Sequence, residues 1–134
     1  MGKKTTYTIL ALAAFTAYCY IQKSNDQPKI WYVNRLPFGY NGLTIPPFGI
    51  FILKDQKQNA PLVLHELVHW KQFQREGLAR FLIGYRRQHR AVGYDANPYE
   101  IEARFCENDF CKSNYTYCVR EGLAKTITNK NFRT

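Results

Sequence analysis

His65-Glu66-Leu67-Val68-His69 is the stretch of this chain whose residue types and spacing could do chemistry. It is an H-E-x-x-H motif. On a helix, two histidines four residues apart share one face, one turn from each other, so two imidazole nitrogens can reach one ion at about 2.0–2.1 Å. Glu66 is turned about 100° aside, which suits it to act on a metal-bound water rather than to bind the metal. That chemistry is metal-assisted hydrolysis. The competing reading is a pair of core histidines satisfied by backbone or carboxylate groups. Glu66 in its motif position favours the metal.

The flanking residues predict how the motif is held. Asn59 is a candidate cap, Pro61 sits in the first turn, and the helix runs to about Glu76 with Gly77 as its stop. On a helical wheel Leu62, Val63, Leu64, Leu67, Val68 and Trp70 surround most of the axis, the pattern of a helix buried nearly all round. One narrow stripe is polar and holds Gln72, His65, Glu76 and His69. Glu76 lies about 10 Å along the axis from His69, too far to bind the same ion.

A catalytic zinc needs a third protein ligand and an open fourth position. The extended H-E-x-x-H-x-x-G-x-x-H pattern is excluded, because Gln72 and Arg75 stand where it requires Gly and His. Downstream, Asn97-Pro98-Tyr99-Glu100 is a strong helix start. On that helix the apolar arc of Ile101, Phe105, Cys106, Tyr99, Phe110 and Ala103 contains Glu102 near its centre. A carboxylate aimed into a core needs a partner, and a cation is the natural one. Glu100 falls on the opposite side, where it can act as a capping-box residue and pair with Arg104. Glu102 is therefore the expected third ligand, with Glu100 as the main competitor and His89 as a further alternative. Asp109 shares the inward arc and could support a ligating histidine.

HELVHWKQ followed by NPYEIEA resembles the gluzincin branch of zinc metallopeptidases, and more closely the small metallopeptidase-like domains of bacteria and their phages. The resemblance covers roughly Phe38 to Asp109. It implies His65, His69 and Glu102 as zinc ligands, Glu66 as general base, and Gln72 as a recurrent position without an assigned role. It also implies that the strand at Phe48–Leu53 lines the cleft and pairs with an extended peptide. The thermolysin-type N-E-x-x-x-D signature is absent, since Cys106 stands four residues after Glu102. For the oxyanion donor, Tyr94 and Tyr99 are candidates just before the Glu102 helix, each with packing as its alternative role.

The rest of the chain supplies the frame. Turn chemistry at residues 39–42 and at Pro46-Pro47 brackets two β-type pieces, Leu43–Ile45 and Phe48–Leu53. The second is apolar on both faces and is expected to be covered on both, at or next to a sheet edge. Leu78 to Arg90 reads as a connecting helix made basic by Arg80, Arg86, Arg87 and Arg90, a solvated face or a surface for anionic lipid. Cys106, Cys111 and Cys118 are expected to be buried free thiols, because three is an odd number and the 106/111 spacing does not favour a bond.

Tyr7 to Ile21 carries no charged residue and follows a short basic start. Its length is marginal for a full span, its flanking tyrosines suit a membrane interface, and the residues around Ala17 make a poor cleavage site. The expectation is an uncleaved single-pass anchor at 1–23 whose charge bias leaves the topology open. A polar linker at 24–37, a zincin-like domain at 38–125 and a polar tail at 126–134 follow. The chain has 134 residues, 46% hydrophobic and 22% charged, which suits one domain and excludes collagen, a coiled-coil rod and a multi-pass membrane protein. Its +9 balance favours anionic partners. The basic residues are dispersed and no aromatic-basic stacking motif appears, so a nucleic-acid module is set aside.

The expectation is thus an α+β domain with a short sheet, an H-E-x-x-H helix and a second ligand helix, preceded by a membrane helix. It would be a membrane-anchored zinc metallopeptidase acting on a peptide or protein substrate, with Zn2+ on His65, His69 and Glu102 and with Glu66 as base. A catalytically silent, zinc-stabilised surface or interaction protein is the alternative.

Overall fold

A computed structural model of the chain describes residues 2–107 and 109–123. The expected polar tail at 126–134 lies outside them. The described residues form an α+β fold of six α-helices and one three-stranded sheet. In chain order these are α1 (Lys3–Lys23), β1 (Ile30–Val33), β2 (Gly42–Ile45), β3 (Gly49–Leu53), α2 (Ala60–Glu76), α3 (Leu78–Val92), α4 (Pro98–Cys106), α5 (Phe110–Ser113) and α6 (Tyr115–Arg120).

The local signals around α2 act as expected. Asn59 caps it by accepting from the Leu62 amide, a proline sits in the first turn, and Gly77 follows its last residue. Its apolar residues are buried nearly all round: Val63, Leu64, Leu67, Trp70 and Phe73 join Ile50 and Ile52 of β3 in one core. Each such side chain contributes roughly 1.5–3 kcal/mol of burial, which holds the helix carrying the two histidines firmly in the core.

Strand order is β1-β3-β2, with β1 parallel and β2 antiparallel to β3. Two expectations change here. The stretch 24–37 is more than a linker, because Ile30-Trp31-Tyr32-Val33 inside it forms β1 against β3. These are strand-favouring residues whose signal is interrupted by Pro28, Asn34 and Pro37 on either side. The same stretch is strapped over α2 and α6: the Trp70 indole donates to the Asn25 carbonyl, and the Tyr117 hydroxyl to that of Pro28. Second, β3 is the central strand, next to both edge strands, but only one of its faces is fully covered. It buries Ile50 and Ile52 toward α2, while Phe51 stacks on Trp31 across the other, half-exposed face.

Cys111 and Cys118 are bonded to each other across the α5–α6 turn, which replaces the expectation of free thiols; Cys19 and Cys106 are free. The short helices α5 and α6 fold back on each other and bring the two Cα atoms to 5.8 Å, a relation that sequence spacing alone does not reveal.

α1 is 21 residues long and buries no side chain. Among the described residues no helix is long and apolar enough to cross a membrane, so the expected membrane-spanning helix is without support here. The reason lies in its composition: Thr5, Thr6, Thr8, Thr16 and Gln22 dilute the apolar run, and tyrosine is only weakly apolar. Phe15 and Tyr18 instead reach the ring of Phe48 at the β2–β3 turn.

Gly49 lies where the chain entering β3 passes close to the backbone that leads into β1. Its φ is +128°, and a Cβ there would collide with the carbonyl of Lys29 at the start of β1. Gly49→Ala is expected to destabilise the domain by about 2 kcal/mol or more, read as a lowered urea midpoint at unchanged m-value.

Candidate metal centre

The stripe on α2 that carries His65 and His69 faces α4 across a short gap. His69 is buried and His65 is nearly so. The carboxylate that meets them belongs to Glu100. Its Oε2 lies 2.8 Å from His65 Nε2 and its Oε1 lies 3.1 Å from His69 Nε2. One ligand atom from each of these three residues lies within 4.8 Å of the others, a grouping that could hold a metal ion. Around a tetrahedral ion with bonds of about 2.0–2.1 Å, ligand atoms sit about 3.3 Å apart, so the two short separations need only a slight opening. Two imidazoles and one carboxylate also match a donor set that zinc uses at catalytic sites.

Glu102, the expected third ligand, lies elsewhere. It is half-exposed and ion-paired to Arg75, whose Nη1 lies 3.0 Å from Oε1. In α4 the apolar arc is not the buried one. In α4 the buried positions are Asn97 at the cap, Glu100 and Ala103, whereas Ile101 and Phe105 are exposed, at 48% and 83%. Glu100 also performs neither of the duties assigned to it. Asn97 caps α4 with its own side chain, accepting from the Tyr99 amide, and Arg104 donates to the backbone carbonyl of Asp95. His89 is exposed, stacked on Tyr85 and outside the cluster. Asp109 is exposed and paired with Lys112. The carboxylate beside His65 Nδ1 is instead that of Glu107, 3.7 Å away.

Glu66 is buried next to this cluster. The Thr44 hydroxyl, on β2, lies 2.7 Å from its Oε2 and 2.8 Å from its backbone carbonyl, which ties the edge strand to α2 at the motif. Sequence reasoning gave Thr44 no role, since nothing local distinguishes it from any strand threonine.

Tyr85 was also missed. Its hydroxyl donates to Glu100 Oε1 at 2.6 Å from the inner face of α3, where it follows buried Phe81 by one helical turn. That i,i+4 apolar-aromatic spacing was the available signal. Of the two tyrosines considered beforehand, Tyr99 points away and donates to Glu76 Oε1. Tyr94 stays at the site. It lines a cavity of about 210 Å³ with Leu43, Glu66, Phe81, Tyr85 and Glu100, and a neighbouring one of about 670 Å³ with His65, Glu66, Arg104 and Glu107. The two meet at Tyr40, Gly42, Glu66 and Tyr94, so Glu66 lies where one cleft passes between β2 and the helices.

The electrostatics follow from burying one carboxylate among these partners. Burial pushes the Glu100 pKa up, but hydrogen bonds from His65 and His69, the His69 charge and the Tyr85 hydroxyl outweigh it and hold the group far below the usual carboxylate range. Burial pulls the His69 pKa down, and the Glu100 hydrogen bond with the charges of Glu66 and Glu100 more than reverses this, leaving it raised. Tyr94 is pushed up to about 12, by burial first and then by the Glu100 charge.

Comparison of the chain with known protein families, with curated proteins and with solved structures finds no match.

The signs of the two shifts fix a pH window for protein stripped of metal by chelation. A lowered carboxylate pKa adds stability above its unfolded value of 4.5, lost as pH falls below it. A raised imidazole pKa adds stability that is complete below 6.5 and is lost as pH rises through the folded value. The thermal midpoint of the metal-free protein is expected to peak between these values and to fall on both sides. In His69→Gln the decline above pH 6.5 should disappear.

Proposed function

We propose that this protein is a zinc-dependent hydrolase of peptide bonds in which His65, His69 and Glu100 hold the metal and Glu66 is the general base. The observation that carries the reading is the convergence of those three ligand atoms beside the Glu66 carboxylate, at the middle of an open cleft. The gluzincin resemblance of the H-E-x-x-H helix and the later glutamate helix supports it, with Glu100 in place of Glu102 as the metal-binding carboxylate.

A zinc ion at this position would supply an acidified water and a Lewis acid for the scissile carbonyl. The chain's own residues do the rest. Glu66 takes the proton at its carboxylate and returns it to the leaving amine, with Thr44 holding that carboxylate in place. Tyr94, on the wall of the cleft beside Glu66, donates its hydroxyl proton in a hydrogen bond to the developing oxyanion. Tyr85 holds Glu100 in the orientation that both histidines share. An extended peptide would pair with β2, which is the strand at the open edge of the sheet beside the cleft, and not with β3.

A catalytically silent protein that keeps the metal for stability is the competing reading. Either version is compatible with membrane association through α1, which exposes Ile9, Leu10, Leu12 and Ile21.

Substitution separates these readings. Glu66→Gln is expected to keep stoichiometric zinc and to lower peptide hydrolysis by about 10²–10⁴-fold or more. Glu100→Ala and the isosteric Glu100→Gln should lose the metal on dialysis, while Glu102→Ala retains it, measured by elemental analysis. A wild type that binds zinc yet cleaves no member of a diverse peptide library would leave the silent protein standing.

A further inference from the structure

Gln72 sits one turn beyond His69 on the same stripe of α2 and is fully buried. A buried primary amide is costly unless both of its ends are satisfied, and here each end has partners of one kind only. On the nitrogen side, Nε2 lies 2.9 Å from the Tyr99 carbonyl and 3.2 Å from Glu102 Oε1, both of which can only accept. Glu102 is itself held by Arg75 through both carboxylate oxygens, at 3.0 and 3.3 Å. The amide therefore cannot turn over without setting its carbonyl oxygen against two acceptors. Its Oε1 must face His69, whose Nδ1 lies 2.8 Å away. An amide oxygen accepts, so the imidazole has to carry a proton on Nδ1. The opposite nitrogen, Nε2, is hydrogen-bonded to Glu100 here and is the one left to face a metal in place of that proton.

From this we propose that Gln72 is a positioning residue for the metal. It fixes the tautomer and ring orientation of His69, and its own direction is set by the Tyr99 carbonyl and the Arg75–Glu102 pair on α2 and α4. The inference rests on the metal-binding reading above and deepens it. It also gives Glu102 a place two hydrogen bonds away from the ion instead of on it. A glutamate at 72 would not serve as well, because it would lose the donor to Tyr99 and face Glu102 charge to charge.

The test uses zinc alone as ligand, with affinity measured by chelator competition and the His69 tautomer read from long-range 15N correlations of the zinc-bound protein. Gln72→Met keeps the length and the apolar bulk but removes the acceptor. It is expected to weaken zinc about 10–100-fold and to abolish the single Nδ1-protonated signature of His69. The charge-neutral exchange Gln72→Glu with Glu102→Gln restores an acceptor for His69 and a donor partner beside it. It should bind zinc more tightly than Gln72→Glu alone, though without the donor to the Tyr99 carbonyl, and restore the signature, and it decides the matter if Gln72→Met does not fold. Wild-type affinity and an unchanged tautomer in Gln72→Met would overturn the proposal while leaving the metal centre intact. So would an exchange variant that binds zinc no better than Gln72→Glu alone. A wild type that takes up no zinc sensitive to His65→Ala would overturn the metal centre itself, and the role of Gln72 with it.

Discussion

An ionised carboxylate cannot be buried alone, and the arrangement of this molecule around Glu100 follows from that constraint. The residue is 3% exposed and is met by groups from two other helices, His65 and His69 of α2 and Tyr85 of α3. Three helices are thereby brought to one point. Removing any one partner leaves charge or donor capacity stranded in a nonpolar setting, which is why the α2–α3–α4 junction is specific as well as stable. A proton shared among these groups and a divalent ion bound by them answer the same electrostatic demand, and the ion answers it with fuller coordination.

The packing that surrounds this point is arranged to leave one side open. α2 is walled in by Ile50 and Ile52 of β3 and by its own apolar residues, and the histidine stripe is the polar face it turns toward Glu100. β2 lies at the sheet edge and reaches α2 through Thr44 at the motif glutamate. On the far side α3 comes close enough to α4 for Gly84 to face the Tyr99 ring, an approach a larger residue would obstruct. The cleft is the space left between the strand edge and that helix pair.

Away from the site, stability comes from ties between separate elements. Residues 25–28 are bound to α2 and α6 through indole and phenol hydrogen bonds, and the Cys111–Cys118 bond closes a short loop. In the chain-entropy description such a loop contributes about 2.5 kcal/mol. α1 stands apart from this scheme, with its apolar side chains largely uncovered by the described residues.

The amino-acid sequence by itself determined what local rules can reach. The α2 boundaries, its near-complete burial and the polar stripe holding His65, His69 and Gln72 follow from caps and from a 3.6-residue period, which act within a few turns. The Asn97-Pro98 start of α4 and the two strand segments on either side of Pro46-Pro47 were legible for the same reason. Only the tertiary structure decided which face of α4 turns inward. A nine-residue helix presents both Glu100 and Glu102 within two residues of its centre, and the choice was made by where two histidines of another helix need a carboxylate, not by where Ile101 and Phe105 lie. The same holds for β1, for the disulfide partner of Cys111 and for the roles of Thr44 and Tyr85. Each depends on how separate elements pack together, and periodicity along one segment carries no information about what that segment will meet.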